Sequence, residues 1–162
     1  MTVSTVLSYL LIWGLFGCVL FFAVVAVLFR TGFVYTARKQ DGTLKDEIPL
    51  SGKFAMLMIP TSFFVFQVLS NYFGLIQHDI TLSYGHLYLL NYGVYLILFL
   101  FDTFFIDGFV LAKWRPDFLQ LPDEMGEKSM RKHILVSIPI GLLLGALLTL
   151  ISTTASYFLW IK

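Results

Sequence analysis

Apolar residues fill four long stretches of this chain, and polar residues gather between them. The stretches run from about Val6 to Phe29, Phe54 to Ile76, Leu87 to Ala112 and Ile134 to Ile161. A helix needs about 20 apolar residues to cross bilayer hydrocarbon, and each stretch supplies them. None shows the alternation over segments of about 10 residues that marks a barrel strand. Backbone polar groups find no water in lipid, so each stretch is expected to be helical. Pro60 and Pro139 fall inside the second and fourth spans, where they are expected to kink a helix rather than end it. The pattern therefore predicts an all-α, integral membrane four-helix bundle. It forms a single transmembrane domain over residues 1–162, with polar loops at 30–53 and 113–133.

Composition agrees with that class. Hydrophobic residues make up 58% of the chain and charged residues 13%, against about 45–50% and about 25% in soluble domains. The placement of charge says more than the net value. Arg30, Arg38, Lys39, Lys45 and Lys53 lie in the first loop, and Lys113, Arg115, Lys128, Arg131 and Lys132 in the third, ten of the eleven basic residues. Short loops rich in Lys and Arg stay in the cytoplasm. The expected protein is thus multi-pass in a bacterial cytoplasmic (inner) membrane, with both termini outside. Tyr9, Trp13, Tyr72, Tyr84, Tyr88, Tyr157 and Trp160 fall near the outer ends of the spans and Trp114 near an inner end, as headgroup-level rings do. Cys18 is the one cysteine, which excludes an internal disulfide and a Cys-based zinc site within one chain.

Two patterns bear on how the helices meet. KFAMLMIP from Lys53 and KHILVSIP from Lys132 open the two return helices with the same Lys-to-Pro spacing. That raises a duplicated hairpin, related by a pseudo-two-fold along the membrane normal; coincidence in low-diversity apolar sequence is the alternative. In the fourth span Gly141, Gly145, Thr149, Ser152 and Ser156 recur every three or four residues, and Gly14 and Cys18 share that spacing in the first. Helices in lipid associate through such small residues, so these faces are expected to pack inward or against a second protomer.

The third span carries most of the buried polarity. At 3.6 residues per turn Asn91, Tyr95 and Asp102 share one face, while Asp107 sits about 140° around the helix and about 7.5 Å further along. On that geometry the two acids do not form a pair. A charged Asp at mid-span costs about 2.5–3.5 kcal/mol on insertion scales. Thr61, Ser62 and Gln67 of the second span are the expected partners for Asp102. Thr103, Lys113 and Arg115 are those for Asp107. An intramembrane polar site of Asp102, Asp107, Tyr95, Asn91 and Gln67 follows.

From Asp102 through Asp107, Trp114-Arg115-Pro116, Phe118 and Leu121-Pro122 to His133, the chain resembles an uncharacterised family of small four-helix bacterial membrane proteins. The likeness spans roughly residues 100–135, and the loop reads Leu-Pro-Asp-Glu-Met-Gly where the family has Pro-Gly-Thr-Glu-Gly. It implies that Arg115, Pro116 and His133 join the two acids in one site or one structural clamp at the cytoplasmic face.

His78, Asp79 and His86 share the second loop and are weak metal candidates, since imidazole and carboxylate suit zinc or copper. Their spacing matches no ligand motif, so no metal and no cofactor is expected. The chain has no phosphate-binding glycine loop, HExxH or GxSxG. The reading of function is therefore a protein without catalytic motif. It acts by self-association or as an accessory subunit of a membrane assembly, with the lipid bilayer and membrane proteins as partners and no nucleic acid. One alternative is a proton-linked transporter or channel using Asp102 in an oligomer. Another is an enzyme acting on lipid headgroups at the cytoplasmic interface, with Asp107, Arg115 and His133.

Overall fold

The computed structural model describes residues 2–33, 46–75, 80, 82–119, 121 and 127–161, with side chains in the last stretch from Ile134 to Trp160. Helix α1 is Val3–Arg30 and α2 is Leu50–Gly74. Helix α3 is α-helical over Tyr84–Leu100 and continues as a π-helix over Phe101–Trp114. Helix α4 is α-helical over Glu127–Ser156 and ends in a π turn, Tyr157–Ile161. All four are long and apolar enough to cross a membrane, and there is no strand among the described residues.

The helix ends follow local chemistry. Thr2 caps α1, its hydroxyl accepting from Thr5 N at 3.2 Å, which satisfies one of the donors left open at a helix start. Pro60 and Pro139 lie within α2 and α4, and neither ends its helix. At the far end of α3, Pro116 disfavours right-handed helical backbone at Arg115. Arg115 adopts the left-handed region instead (φ 46°, ψ 58°) and gives its N–H to Val110 O at 2.8 Å. The chain then makes a single 3-10 turn, Asp117–Leu119. Within it Phe118 is exposed, whereas Leu119 tucks under the bundle, buried against Val25, Phe29, Ile106, Val110 and Leu111.

Consecutive helices run antiparallel, so one end of the bundle carries both chain termini and the other the two basic loops. We call these the terminal end and the loop end. Around the bundle the order is α1, α2, α4, α3: α1 touches α2 and α3, and α4 touches α2 and α3. The parallel pairs α1/α3 and α2/α4 are thus neighbours. A two-fold axis relating hairpin α1–α2 to hairpin α3–α4 would put α1 and α3 on a diagonal. The packing does not have that arrangement, whatever the origin of the KFAMLMIP and KHILVSIP likeness.

Close approach of helices is fixed by glycines. A Cβ on Gly14 would fall 2.8 Å from Ile97 Cδ1, and one on Gly17 would fall 2.8 Å from both Leu98 Cδ1 and Phe66 Cε1. On α4, the Tyr95 ring lies over Gly145 and the Phe99 ring over Gly141. Between helices the apolar core splits in two. Tyr9, Cys18, Phe63, Phe66, Val94 and Leu98 belong to the larger cluster, and Val25, Ile106 and Val110 to one nearer the loop end. The outward faces hold large exposed apolar side chains, such as Leu11, Leu15 and Val19 on α1 and Leu135, Leu143 and Leu147 on α4.

Candidate functional site: a buried polar layer and a carboxylate face

Amides and hydroxyls in an apolar helix must find partners, because lipid offers none. In the terminal half they find one another across all four helices. Tyr9 of α1 donates its hydroxyl to Asn71 Oδ1 of α2 at 2.9 Å. Asn71 Nδ2 donates to Ser156 Oγ of α4 at 2.9 Å. One turn along, Ser152 of α4 donates to Gln67 Oε1 of α2, and Gln67 Nε2 donates to the Asn91 carbonyl of α3 at 2.7 Å. Asn91 Nδ2 closes the circuit on Thr153 Oγ1 at 2.9 Å. Gln67, Asn91, Thr149, Ser152, Thr153 and Ser156 are fully buried, and Ser70 and Asn71 nearly so.

The small residues of α4 divide between two neighbours. Ser152 and Ser156 face α2, while Gly141, Gly145 and Thr153 meet α3. Tyr95 is held in place at both ends of its ring: the ring rests on Gly145 and its hydroxyl donates to Gly141 O at 2.6 Å. It belongs to a ladder of rings down α3, Tyr88, Tyr92, Tyr95 and Phe99, stacked with centroids 5.8–6.1 Å apart. At the terminal end Tyr72 packs on Trp160 (4.8 Å) and Tyr84 on Tyr157 (5.5 Å), so these rings also tie α4 to its neighbours.

The loop half is built differently. From Phe101 the third helix winds with i→i+5 hydrogen bonds, so residues five apart stand about one turn apart on the same side. Asp107 therefore stacks near Asp102 rather than facing away from it, which corrects the α-helical expectation. Asp102 is close enough to Asp107, and to Tyr95, to interact with both electrostatically. Both acids are half-buried, on the inner part of a turn whose neighbours Thr103, Ile106 and Leu111 are buried. The opposite side of the same segment carries a second ring ladder, Phe101, Phe105, Phe109 and Trp114, with centroids 4.9–6.2 Å apart.

The five residues expected to form one intramembrane site are thus distributed over two. Gln67 and Asn91 join in the polar layer, Tyr95 spans the boundary, and Asp102 and Asp107 form a separate face. The polar residues of α2 expected opposite Asp102 are engaged elsewhere. Ser62 donates to Met58 O at 2.6 Å, Thr61 is exposed, and Gln67 is held by Asn91 and Ser152. Tyr9, Ser70, Asn71 and Thr153 were missed as members of the layer. The signal was present in α2, where Gln67, Ser70 and Asn71 fall at steps of three and four and share one face.

Arg115 and Pro116 sit half-buried at the loop end directly after the π-helix. The His133 side chain lies outside the described residues, as do His78 and Asp79. His86 is exposed, pairs its Nδ1 with Ser83 Oγ at 2.8 Å, and edges an apolar groove of about 350 Å³ between α1 and α3. Among the described residues no three of His, Cys, Asp and Glu come together as metal ligands would. No family model, curated protein or solved structure matches the chain.

Proposed function

We propose that the chain is a multi-pass protein of a bacterial cytoplasmic membrane, both basic loops inside and both termini outside, that acts by self-association or as an accessory subunit of a membrane assembly. The observation that carries this reading is the hydrogen-bonded layer joining all four helices. The buried polar groups of the terminal half serve to clasp the bundle, and the exposed apolar faces of α1, α4 and the ring ladder of α3 are what a neighbour in the membrane would meet. Lipid is as apolar as these faces, so a partner would be held by shape and close packing.

The test uses a Cys18→Ser background with single cysteines placed at Phe105 or Leu143, crosslinked in intact membranes. A discrete adduct of one mass supports the reading; monomer alone from both positions counts against it. Protease added to the outside of intact cells should spare Arg38 and Lys128.

A second reading, proton-linked transport by an oligomer, is favoured by the π winding that stacks Asp107 near Asp102. Carboxylates inside a span are common elements of proton relays. Reconstituted protein should then move protons across a vesicle wall, as followed with a pH-sensitive dye, and Asp102→Asn should abolish the flux. Absence of flux from the unmodified chain removes this reading and leaves the first intact.

A further inference from the structure

Helices α1 and α3 are in close contact at two glycines and part toward the terminal end. A Cβ on Gly14 would fall 2.8 Å from Ile97 Cδ1, and one turn nearer that end a Cβ on Gly93 would fall 2.9 Å from Leu10 Cδ2. Past this second contact lies the groove of about 350 Å³. Val6 and Leu10 of α1 line one side, and Leu82, His86, Leu89 and Leu90 line the other. Leu90 is buried in its floor, while Leu89 and His86 are exposed on its rim. From His86 to Gly93 the helix covers about 10 Å. Among the described residues the lining is hydrocarbon except for His86, which stands toward the terminal end.

The polar end is organised by a local bond. His86 Nδ1 pairs with Ser83 Oγ at 2.8 Å, and Ser83, the N-cap of α3, makes no side-chain bond to the first-turn N–H groups. With the hydroxyl donating to Nδ1, or with the ring protonated, Nε2 carries a hydrogen and donates. No acidic residue stands in the first turn of α3. This end of the groove therefore suits an anionic group. Tyr84 and Tyr157, 5.5 Å apart, lie at the same end, and such rings favour the headgroup region of a bilayer. Ligand sites are mostly apolar clefts of about 300–1,000 Å³ with a few placed polar groups. An apolar slot with a donor at headgroup depth matches an amphiphile, its chain along the slot and its anion at the end. A helix of a second copy, about 10–12 Å across with its side chains, would fill far more than this volume.

Building on the membrane-spanning reading above, we propose that the groove binds a phospholipid of the surrounding leaflet, one acyl chain lying along Leu10, Leu89 and Leu90 and the phosphate accepting from His86 Nε2. In a bilayer the open side of the groove, past Leu89, faces lipid, so an acyl chain enters sideways without crossing water. The hydrocarbon lining holds that chain by contact alone. The phosphate contact sets its direction and favours a phospholipid over an uncharged lipid.

The experiment uses the full chain in maltoside micelles with phosphatidylglycerol that carries a diazirine on one acyl chain, and maps the adducts after illumination. They are expected to concentrate in residues 6–10 and 82–93, above the level at the outward Leu15 and Leu143. Unlabelled phosphatidylglycerol should displace the label, and diacylglycerol with the same chains should need about 5-fold more, the worth of one hydrogen bond. His86→Ala should erase that difference. Val6→Phe, which fills the groove, should lower labelling there and leave it unchanged at Leu143. Even labelling of all outward faces, equal competition by the two lipids, an unaltered preference in His86→Ala, or a fatty acid that displaces the label before phosphatidylglycerol does would each overturn the proposal and leave the membrane reading standing. Adducts at Leu15 and Leu143 with none in the groove would assign it to another occupant, such as a side chain of a second copy, with the same result. No adduct on any helix would overturn both.

Discussion

The terminal half and the loop half of the bundle both bury polar side chains, but with opposite logic. In the terminal half the groups are neutral, fully buried and bonded across helices, as in the chain from Tyr9 through Asn71 to Ser156. In the loop half they include, beside the buried Thr103, two half-buried carboxyls brought near each other on one helix by π winding. Neutral amides and hydroxyls satisfy each other and hold helices together. Two neighbouring carboxyls on one helix do not satisfy each other as an amide and a hydroxyl do. The comparison teaches that polarity inside a span has two uses, and that the geometry of each half tells which is in play. It also makes a measurable division: stability should be concentrated at the terminal end, in the α2–α4 and α3–α4 contacts.

The sharpest way to break that division is Gly145→Leu. Its side chain would occupy the space of the Tyr95 ring, which cannot swing away without losing its bond to Gly141 O at 2.6 Å. Overpacking of a close contact costs about 3 kcal/mol at the upper end of its usual range. Unfolding of the purified protein in mixed micelles should show that loss, and a second substitution, Tyr95→Ala, should recover part of it. Full stability in Gly145→Leu would mean that α3 and α4 do not meet at this point.

Next in size is Asn71→Leu, which removes two interhelical bonds at once and strands the Tyr9 hydroxyl near Ser70. Hydrogen bonds between helices in membranes average about 0.6 kcal/mol each, so the expected loss is about 1–2 kcal/mol with the orphaned group included. Tyr9→Phe deletes one donor and leaves Asn71 bonded to Ser156; about 0.6 kcal/mol is expected. The ratio between these two variants sharpens the picture. If Tyr9→Phe costs as much as Asn71→Leu, the layer holds α1 to α2 and the α4 contact contributes little.

Much of this architecture was legible in the residue pattern, and the parts that were not share a physical reason. Four apolar stretches, and ten of eleven basic residues in two loops, are one-dimensional facts, and four helices long enough to cross a membrane follow from the stretches. Gly141 and Gly145 pointed to close packing because a missing side chain has few other uses in a span. Which ring fills each notch depends on helix rotation, which no single helix reveals. The ring order α1, α2, α4, α3 was equally hidden, since loop lengths allow either neighbour. The carboxylate face was misread for a more specific cause: the angle between Asp102 and Asp107 was taken from 3.6 residues per turn, and no residue type announces a change to i→i+5 bonding. Asn71 was overlooked because Gln67 was taken alone, although Gln67, Ser70 and Asn71 share a face.

The smallest expected effect is the one that bears most on the comparison. Asp102→Asn keeps size and hydrogen-bonding capacity while removing one of two neighbouring carboxyls on the same helix. If the loop half owes nothing to this carboxylate for cohesion, unfolding should shift by under about 0.5 kcal/mol, or toward greater stability, because neutralising a charge in a span relieves both repulsion and desolvation. A loss above about 1 kcal/mol in Asp102→Asn, of the size expected for Asn71→Leu, would make Asp102 a structural anchor. The two halves of the bundle would then differ in charge but not in purpose, and the acids would no longer be the place to look for proton movement.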